Sequence, residues 1–228
     1  MALSALGPQE LEAVRSLWPG VSPERRRELL EMATELAIAD VHLDFAPLAE
    51  LGLDDPDASV RVAAIEALWE VEDRAMARRF ARLLDDDPDD EVRVAAARAL
   101  RPFVLRRELG ILPQADGDLI VDLLTTVGTD ASEATEVRAS AIGSLGARSD
   151  PSVKRAILDT YYEDDSRLQL ASLQAMGDSA DEEWLEYLFD AMRSSEPEMR
   201  TEAAAAAGMI GSEEALDELL ALLDDEDI

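Results

Sequence analysis

A chain of 228 residues is long enough for one globular domain or for about six or seven helical hairpins. Its 51 acidic and 21 basic residues give a formal charge of −30, which repels phosphate backbones and anionic lipids, so we expect neither nucleic acid nor a membrane as partner. Cysteine is absent, which excludes disulfides and thiol nucleophiles, and no apolar run approaches the roughly 18 residues of a membrane span. These features predict a cytoplasmic protein.

The first predicted element is a helical hairpin over residues 8–39, whose second helix opens at Ser22-Pro23-Glu24. It precedes a repeated motif that occupies residues 44–228. We predict that residues 1–43 form an N-terminal capping hairpin, because the terminal unit of a repeat stack has one face without a neighbour.

One nine-residue pattern recurs five times along the rest of the chain. An apolar residue comes first, arginine usually follows, small residues come next, and the ninth place is apolar again. The copies begin at Val60, Val92, Val137, Leu168 and Met199, at intervals of 32, 45, 31 and 31 residues. Because the first, fifth, sixth and ninth places share one helical face, each copy predicts a helix with that face buried. We call these the B helices.

Between the copies lie segments with apolar stripes of their own, such as residues 184–192, which predict an A helix in each unit. Aspartate precedes proline three times, and we expect it to cap the following helix, at Asp55, Asp87 and Asp150. Glycine follows the ninth place in three copies, where a helix ends or a neighbour approaches closely, at Gly146, Gly177 and Gly208.

The residues at 53–64, and the similar ones at 84–96, resemble the HEAT repeat: an Asp-Pro turn followed by Val-Arg and small residues. The spacing of 31 or 32 residues is similar to the short bacterial HEAT-like type that is also found in phycobilin lyase subunits. The resemblance covers residues 44–228. It implies an all-α fold, a right-handed α-α superhelix (α-solenoid) of helical hairpins, with B helices starting near 60, 92, 137, 168 and 199.

In that family, a turn aspartate and a B-helix arginine from neighbouring units form a ladder along the stack. The first two units match both places, with Asp55 and Arg61 and with Asp87 and Arg93. The later units depart from the pattern, with Ser132 and Arg138, Glu163 and Gln169, and Ser194 and Arg200. The resemblance therefore implies a ladder that is incomplete in the C-terminal half.

Two segments are irregular. The 45-residue interval holds about 14 extra residues, around 110–118 and 128–136, and these form either tolerated decoration or a functional loop. Residues 212–223 predict a lone A helix, which either caps the stack or precedes a further B helix in a longer protein.

No set of residues has the spacing of a catalytic or metal site. His42 is the only histidine, and we interpret it as a surface or packing residue. The acid run at 85–91 lacks the loop glycine of a calcium site and is interpreted as a helix-capping turn. The repeated His-Glu pairs with which HEAT-like hydroxylases bind iron do not occur. We predict no catalysis, metal or cofactor.

Arginine is concentrated in residues 74–107, which hold nine arginines against six acids. These arginines either dock an acidic partner, or pair with the chain's own acidic C-terminal half, or neutralise the acid run at 85–91.

The third and seventh places of each B helix point away from the buried face on a wheel of 100° per residue. Only two of these ten residues are charged, Glu66 and Arg98, in a chain where 32% of residues are charged. Trp69 and Arg101 extend the same stripe. Either the stripe is the core of a protein interface, for which Trp and Arg are favoured, or its small residues let B helices pack closely. The candidate binding residues are Val62, Glu66, Trp69, Val94, Arg98, Arg101, Leu170, Gln174 and Thr201.

The sequence thus predicts a non-catalytic protein-binding scaffold or adaptor, monomeric, that holds another protein on the concave face formed by the B helices. The alternative is an accessory subunit of an enzyme, as in the lyase-like HEAT proteins.

Overall fold

The computed structural model describes residues 3–221, and every regular element in that range is a helix. The helices are α1 (Pro8–Leu17), α2 (Pro23–Ala39), α3 (Ala46–Gly52), α4 (Ala58–Ala67), α5 (Arg74–Asp86), α6 (Asp90–Glu108), α7 (Gln114–Thr129), α8 (Thr135–Gly143), α9 (Pro151–Tyr161), α10 (Ser166–Asp178), α11 (Leu185–Met192), α12 (Pro197–Ile210) and α13 (Ala215–Ala221). Short 3₁₀ turns lie at Trp18–Gly20 and Glu182–Trp184. Within these residues, no helix has both the length and the apolar character needed to cross a membrane. The prediction of an all-α solenoid is confirmed.

The B helices are α4, α6, α8, α10 and α12, and each begins two residues before the start of its motif copy. The remaining helices from α3 onward are the A helices. The last of them, α13, falls inside the predicted helix at 212–223, of which residues 222 and 223 lie outside the described part of the chain.

The buried side of the B helices is the one that the motif predicts. In α8 and the turn that follows it, Val137, Ala141, Ile142 and Leu145 occupy the first, fifth, sixth and ninth places, and all four are fully buried. The same places are buried throughout the other copies, except for Ala204 in α12, which is half-buried. Burial of these apolar side chains is the main force that holds each hairpin together.

The chain divides into two compact units between Ala99 and Leu100, inside α6. In the first unit, α2 packs against α4, and α3 packs against both. In the second unit, α8, α10 and α12 pack side by side in that order, and α7, α9 and α11 lie against them. The helix α2 of the N-terminal hairpin thus contacts its neighbour as a B helix does, while a domain boundary at residue 43 stays a prediction.

The extra residues of the 45-residue interval lengthen helices more than loops. Helix α6 has 19 residues and α7 has 16, and only residues 109–113 connect them. The Arg107 side chain lies across Gly117, where a Cβ would stand 2.4 Å from the arginine Cδ, and Arg107 Nε donates to Asp118 Oδ1 over 2.9 Å. Residues 114–118, expected in a loop, therefore form the first turn of α7.

Only one of the three Asp-Pro aspartates caps a helix as predicted. Asp150 does so at α9, where its Oδ1 accepts from Val153 N over 3.2 Å. The prediction was wrong for Asp55 and Asp87. Helix α4 is capped two residues later by Asp57, which accepts from Ser59 N over 3.0 Å. The turn before α6 has the same arrangement, because there Asp89 accepts from Glu91 N over 3.0 Å.

The two earlier aspartates instead bind arginines from the preceding hairpin. Asp87 accepts from both Nε and Nη2 of Arg61, each over 2.8 Å. Asp55 accepts from Arg26 Nη2 over 2.9 Å and from Trp18 Nε1 over 2.7 Å. Each ion pair therefore joins an arginine to the aspartate of the following unit, and the series begins one hairpin earlier than predicted.

The later ladder places differ from the first two. In the second unit, Arg138 on α8 bonds both carboxylate oxygens of Glu163, so a glutamate takes the aspartate's place. Arg93 donates its Nε to Leu84 O over 3.0 Å and lies 3.5 Å from Asp90 of its own helix.

One spacing signal would have identified Arg26 from the sequence. Each of the three arginines that pair across hairpins stands four residues after the N-cap of its helix. These caps and arginines are Ser22 and Arg26, Asp57 and Arg61, and Ala134 and Arg138.

Candidate protein-binding face

The outward stripe of the second unit lies along α10 and α12, which pack against each other. Leu170 and Gln174 are half-buried on α10, and Thr201 is exposed on α12 with its Oγ1 donating to Pro197 O over 2.9 Å. On α8, Gly143 is buried at the seventh place, where a Cβ would stand 3.2 Å from Gln174 Oε1. The stripe is therefore partly covered by the neighbouring B helix at α8 and opens toward solvent at α12.

The stripe of the first unit is more exposed. Val62 and Val94 are half-buried, whereas Glu66 and Arg98 are exposed. Trp69, in the turn after α4, leaves 51% of its surface accessible. A large aromatic side chain with that much free surface matches the kind of residue that anchors protein interfaces.

Arg101, predicted as part of the same stripe, is engaged within the second unit. Its Nη2 hydrogen-bonds to Asp178 Oδ2 at the C-terminal end of α10, and 43% of the arginine side chain stays exposed. Residues 178–228 hold 17 acidic residues and two arginines, so Asp178 begins the most acidic part of the chain. This arginine therefore pairs with the chain's own acidic half, one of the alternatives considered for the arginine-rich segment.

Other arginines of that segment have nearby partners. Arg79 pairs with Asp54 in the first unit, and Arg107 pairs with Asp118 in the second. The acid run at 85–91 acts as a turn, because Asp87 binds Arg61 and Asp89 caps α6.

Two carboxylates lie beside the stripe of the second unit, in surroundings that disfavour their charged form. Burial raises the pKa of Asp178, and the charge of Arg101 opposes that shift. Burial also raises the pKa of Glu202 on α12, and the charge of Asp178 raises it further. The repulsion between these two carboxylates favours the approach of an additional positive charge.

The sequence offers no catalytic residue. Among the described residues, no group of three or more His, Asp and Glu side chains has an arrangement suited to a metal ion. His42 is exposed in the turn after α2, where its backbone N–H donates to Asp40 Oδ1 over 3.0 Å.

A family model described as HEAT repeats matches residues 45–115 and 155–228. No curated protein matches the chain. Among solved structures, an engineered protein is 19% identical, with a TM-score of 0.54 and coverage of 88% of this chain and 96% of that one. A designed armadillo repeat protein in complex with the peptide (KR)4 is 16% identical, with a TM-score of 0.52 and coverage of 92% and 96%. Human deoxyhypusine hydroxylase is 21% identical over 97% of this chain and 80% of that one, with a TM-score of 0.41.

Proposed function

This chain belongs to the HEAT-repeat family, and from that premise we propose that it is a non-catalytic scaffold that binds another protein along the outward stripe of its B helices. The observation that carries the proposal is the composition of that stripe. Leu170, Gln174 and Thr201 are uncharged residues with accessible surface on the second unit, and Val62 and Trp69 are uncharged residues with accessible surface on the first. In the whole chain, by comparison, 32% of the residues are charged. The charged residues among the candidates of this stripe are Glu66, Arg98 and Arg101, and a patch with few charges and a polar rim is typical of interface cores.

The fold and the charge both support a protein partner with a basic surface. A designed armadillo repeat protein of similar fold was solved with a basic peptide, so helical repeats of this general type accommodate one. The charge of −30 attracts a basic partner over a distance set by the Debye length, and Asp178 and Glu202 stand next to the stripe. Partner association should therefore weaken as salt rises.

Two substitutions in the stripe test the proposal. Leu170→Glu and Trp69→Ala should abolish capture of the partner from a lysate of the source cells, as identified by mass spectrometry. Both residues keep accessible surface, so the melting temperature should stay within a few degrees. The matched control is Leu119→Glu, the same change on the A helix α7, where Leu119 is 56% exposed. This control should leave capture intact.

The packing interpretation predicts a different result. If Leu170 and Trp69 serve to hold the helices together, each substitution should destabilise the fold by roughly 2–5 kcal/mol. In that case lost capture would follow from unfolding, and the interface proposal would fail. Equal loss of capture in the Leu119→Glu control would contradict the choice of face.

A further inference from the structure

The outward stripe of the second unit has a polar edge along α10. Two residues that stand four positions apart on that helix, Gln174 and Asp178, lie over glycines of α8 and of the turn after it. A Cβ at Gly143 would stand 3.2 Å from Gln174 Oε1, and a Cβ at Gly146 would stand 2.5 Å from Asp178 Cβ. Because residues four apart are neighbours on a helix surface, the amide and the carboxylate belong to one side of α10.

The helix pairs α8–α10 and α10–α12 have the same register. A Cβ at Gly146, in the tenth place of its motif copy, would stand 3.1 Å from the Cα of Ala175, in the eighth place of the next copy. Gly177 has the same relation to Ala206, with a distance of 2.6 Å. A contact between two motif places in the first pair therefore predicts a contact between the same places in the second pair.

This register puts Glu202 of α12 beside Gln174 of α10. In the first pair, the seventh place lies beside the fourth place of the next helix, because a Cβ at Gly143 would stand 3.9 Å from Ala171 O. In the second pair, Gln174 is the seventh place and Glu202 is the fourth. Glu202 is half-buried and keeps accessible surface, so a bound segment can reach it.

One negative charge in this area has no counterpart among the described residues. Asp178 bonds Arg101, whereas Glu202 has no ion pair within residues 3–221 and is repelled by the charge of Asp178. Two carboxylates and one guanidinium leave one carboxylate uncompensated. A further cation beside Glu202 removes this repulsion.

The surroundings of Glu202 suit a guanidinium better than an ammonium. The planar N–H groups of an arginine can pair with Glu202 and also donate to the amide oxygen of Gln174, whose side chain has no hydrogen bond to the described residues. A guanidinium is more weakly hydrated than an ammonium, so its entry into a half-buried position costs less. Ala205, three residues after Glu202 on α12, is small and exposed and leaves room for the side chain.

We propose that the bound protein presents an arginine between α10 and α12, and that its guanidinium pairs with Glu202 and donates to Gln174 Oε1. The inference rests on the proposed function, because this position is continuous with the outward stripe, where Leu170 and Thr201 lie on the same two helices. It adds the chemistry of one contact, a single arginine at a defined place in the bound segment.

The test uses the whole chain labelled with ¹⁵N and the probe Nα-acetylarginine amide. At about 150 mM salt the Debye length is about 8 Å, so the distant acids of the chain contribute little. Amide signals of α10 and α12 should shift and saturate with a Kd of about 1 mM, as expected for a small probe. Nα-acetylcitrulline amide has nearly the same shape without the charge and should bind about tenfold more weakly.

Three variants locate the contact. Glu202→Gln should weaken binding of the probe about fivefold to tenfold. The matched control Glu198→Gln removes the same charge from an exposed position on the same helix and should change the Kd by less than about twofold. Arg101→Gln should strengthen binding about threefold, because Asp178 then lacks its own cation.

The proposal is overturned if Glu202→Gln and Glu198→Gln bind the probe equally, if the citrulline probe binds as tightly as the arginine probe, or if a folded Arg101→Gln does not bind more tightly. If Arg101→Gln does not fold, the other two variants decide alone. Failure of the scaffold proposal is a separate result, since it requires that Leu170→Glu leave capture of the partner intact. If Leu170→Glu abolishes capture while Glu202→Gln leaves probe binding unchanged, the face is correct and the arginine contact is wrong.

Discussion

Arg26 and Asp55 form a buried ion pair between the N-terminal hairpin and the first motif unit. The distance from Arg26 Nη2 to Asp55 Oδ1 is 2.9 Å, and the two side chains are 6% and 0% exposed. Asp55 also accepts from Trp18 Nε1, and Arg26 Nη1 donates to Val21 O over 3.0 Å. The carboxylate therefore satisfies donors from two parts of the hairpin, and the pair connects a segment outside the matched repeats to the repeats themselves.

Replacing Asp55 by alanine should destabilise the fold by about 3–5 kcal/mol, because the change leaves the Arg26 charge buried without its partner. Urea unfolding followed by circular dichroism measures the loss. The matched control is Asp54→Ala, since Asp54 pairs with Arg79 but keeps 82% of its side chain exposed. That variant should lose less than about 1 kcal/mol. Equal losses in the two variants would show that burial of the pair is unimportant.

Gly177 and Gly208 occupy the same place in two motif copies but should respond oppositely to alanine. A Cβ at Gly177 would stand 2.6 Å from the Cα of Ala206, so Gly177→Ala should force α10 and α12 apart and cost about 1–3 kcal/mol. A Cβ at Gly208 meets none of the atoms of residues 3–221 within 4 Å, and Gly208 lies inside α12. Gly208→Ala should therefore stabilise the fold by about 0.5–1 kcal/mol. Thermal melts of both variants measure the contrast, and a stabilised Gly177→Ala would contradict the close approach.

Glu202→Gln should raise the stability of the fold at pH 7. Burial and the charge of Asp178 hold the pKa of Glu202 above its ordinary value, so at neutral pH the folded state bears a charge that it disfavours. As the pH falls, Glu202 is protonated in the folded state at a higher pH than in the unfolded state. Glu202 therefore stabilises the fold at low pH, and this contribution is lost as the pH rises through the raised pKa.

The gain from Glu202→Gln should be less than about 1 kcal/mol, because the residue is only partly buried. The gain should vanish below pH 4.5, the ordinary pKa of glutamate, because Glu202 of the unsubstituted protein is then uncharged as well. Urea titrations at several pH values measure this. The control Glu35→Gln changes an exposed residue in the middle of α2 and should have little effect at any pH. A gain that persists at low pH would contradict the electrostatic cause.

The melting temperature should rise as salt increases from roughly 10 mM to 1 M, over which the Debye length falls from about 30 to 3 Å. The reason is the formal charge of −30, because the excess acidic side chains repel one another most strongly in the compact state. Salt screens buried ion pairs such as Arg61 and Asp87 much less, so these pairs should persist at about 1 M salt. Differential scanning calorimetry measures the trend. A flat or falling curve would mean that the acids are compensated locally.

The sequence by itself determined the helical repeat and its inward face. The five motif copies begin two residues inside α4, α6, α8, α10 and α12, and the places on one side of the helical wheel are the buried ones. The cap at Asp150 was equally predictable. These features depend on interactions within a few residues of one another, such as helical periodicity and the bonding of a cap to the next turn, so their signals are local.

Only the tertiary structure decided which residues meet across helices. Asp55 pairs with Arg26, 29 residues away, and Arg101 reaches Asp178, 77 residues away. The exposure of Trp69 and the partial burial of Leu170 likewise depend on how closely a neighbouring helix packs. The two glycines at one motif place show the physical reason. Gly177 has α12 against it, whereas Gly208 has no neighbour within 4 Å of a Cβ in the described part of the chain. A motif that is the same in both copies contains no information about that distance.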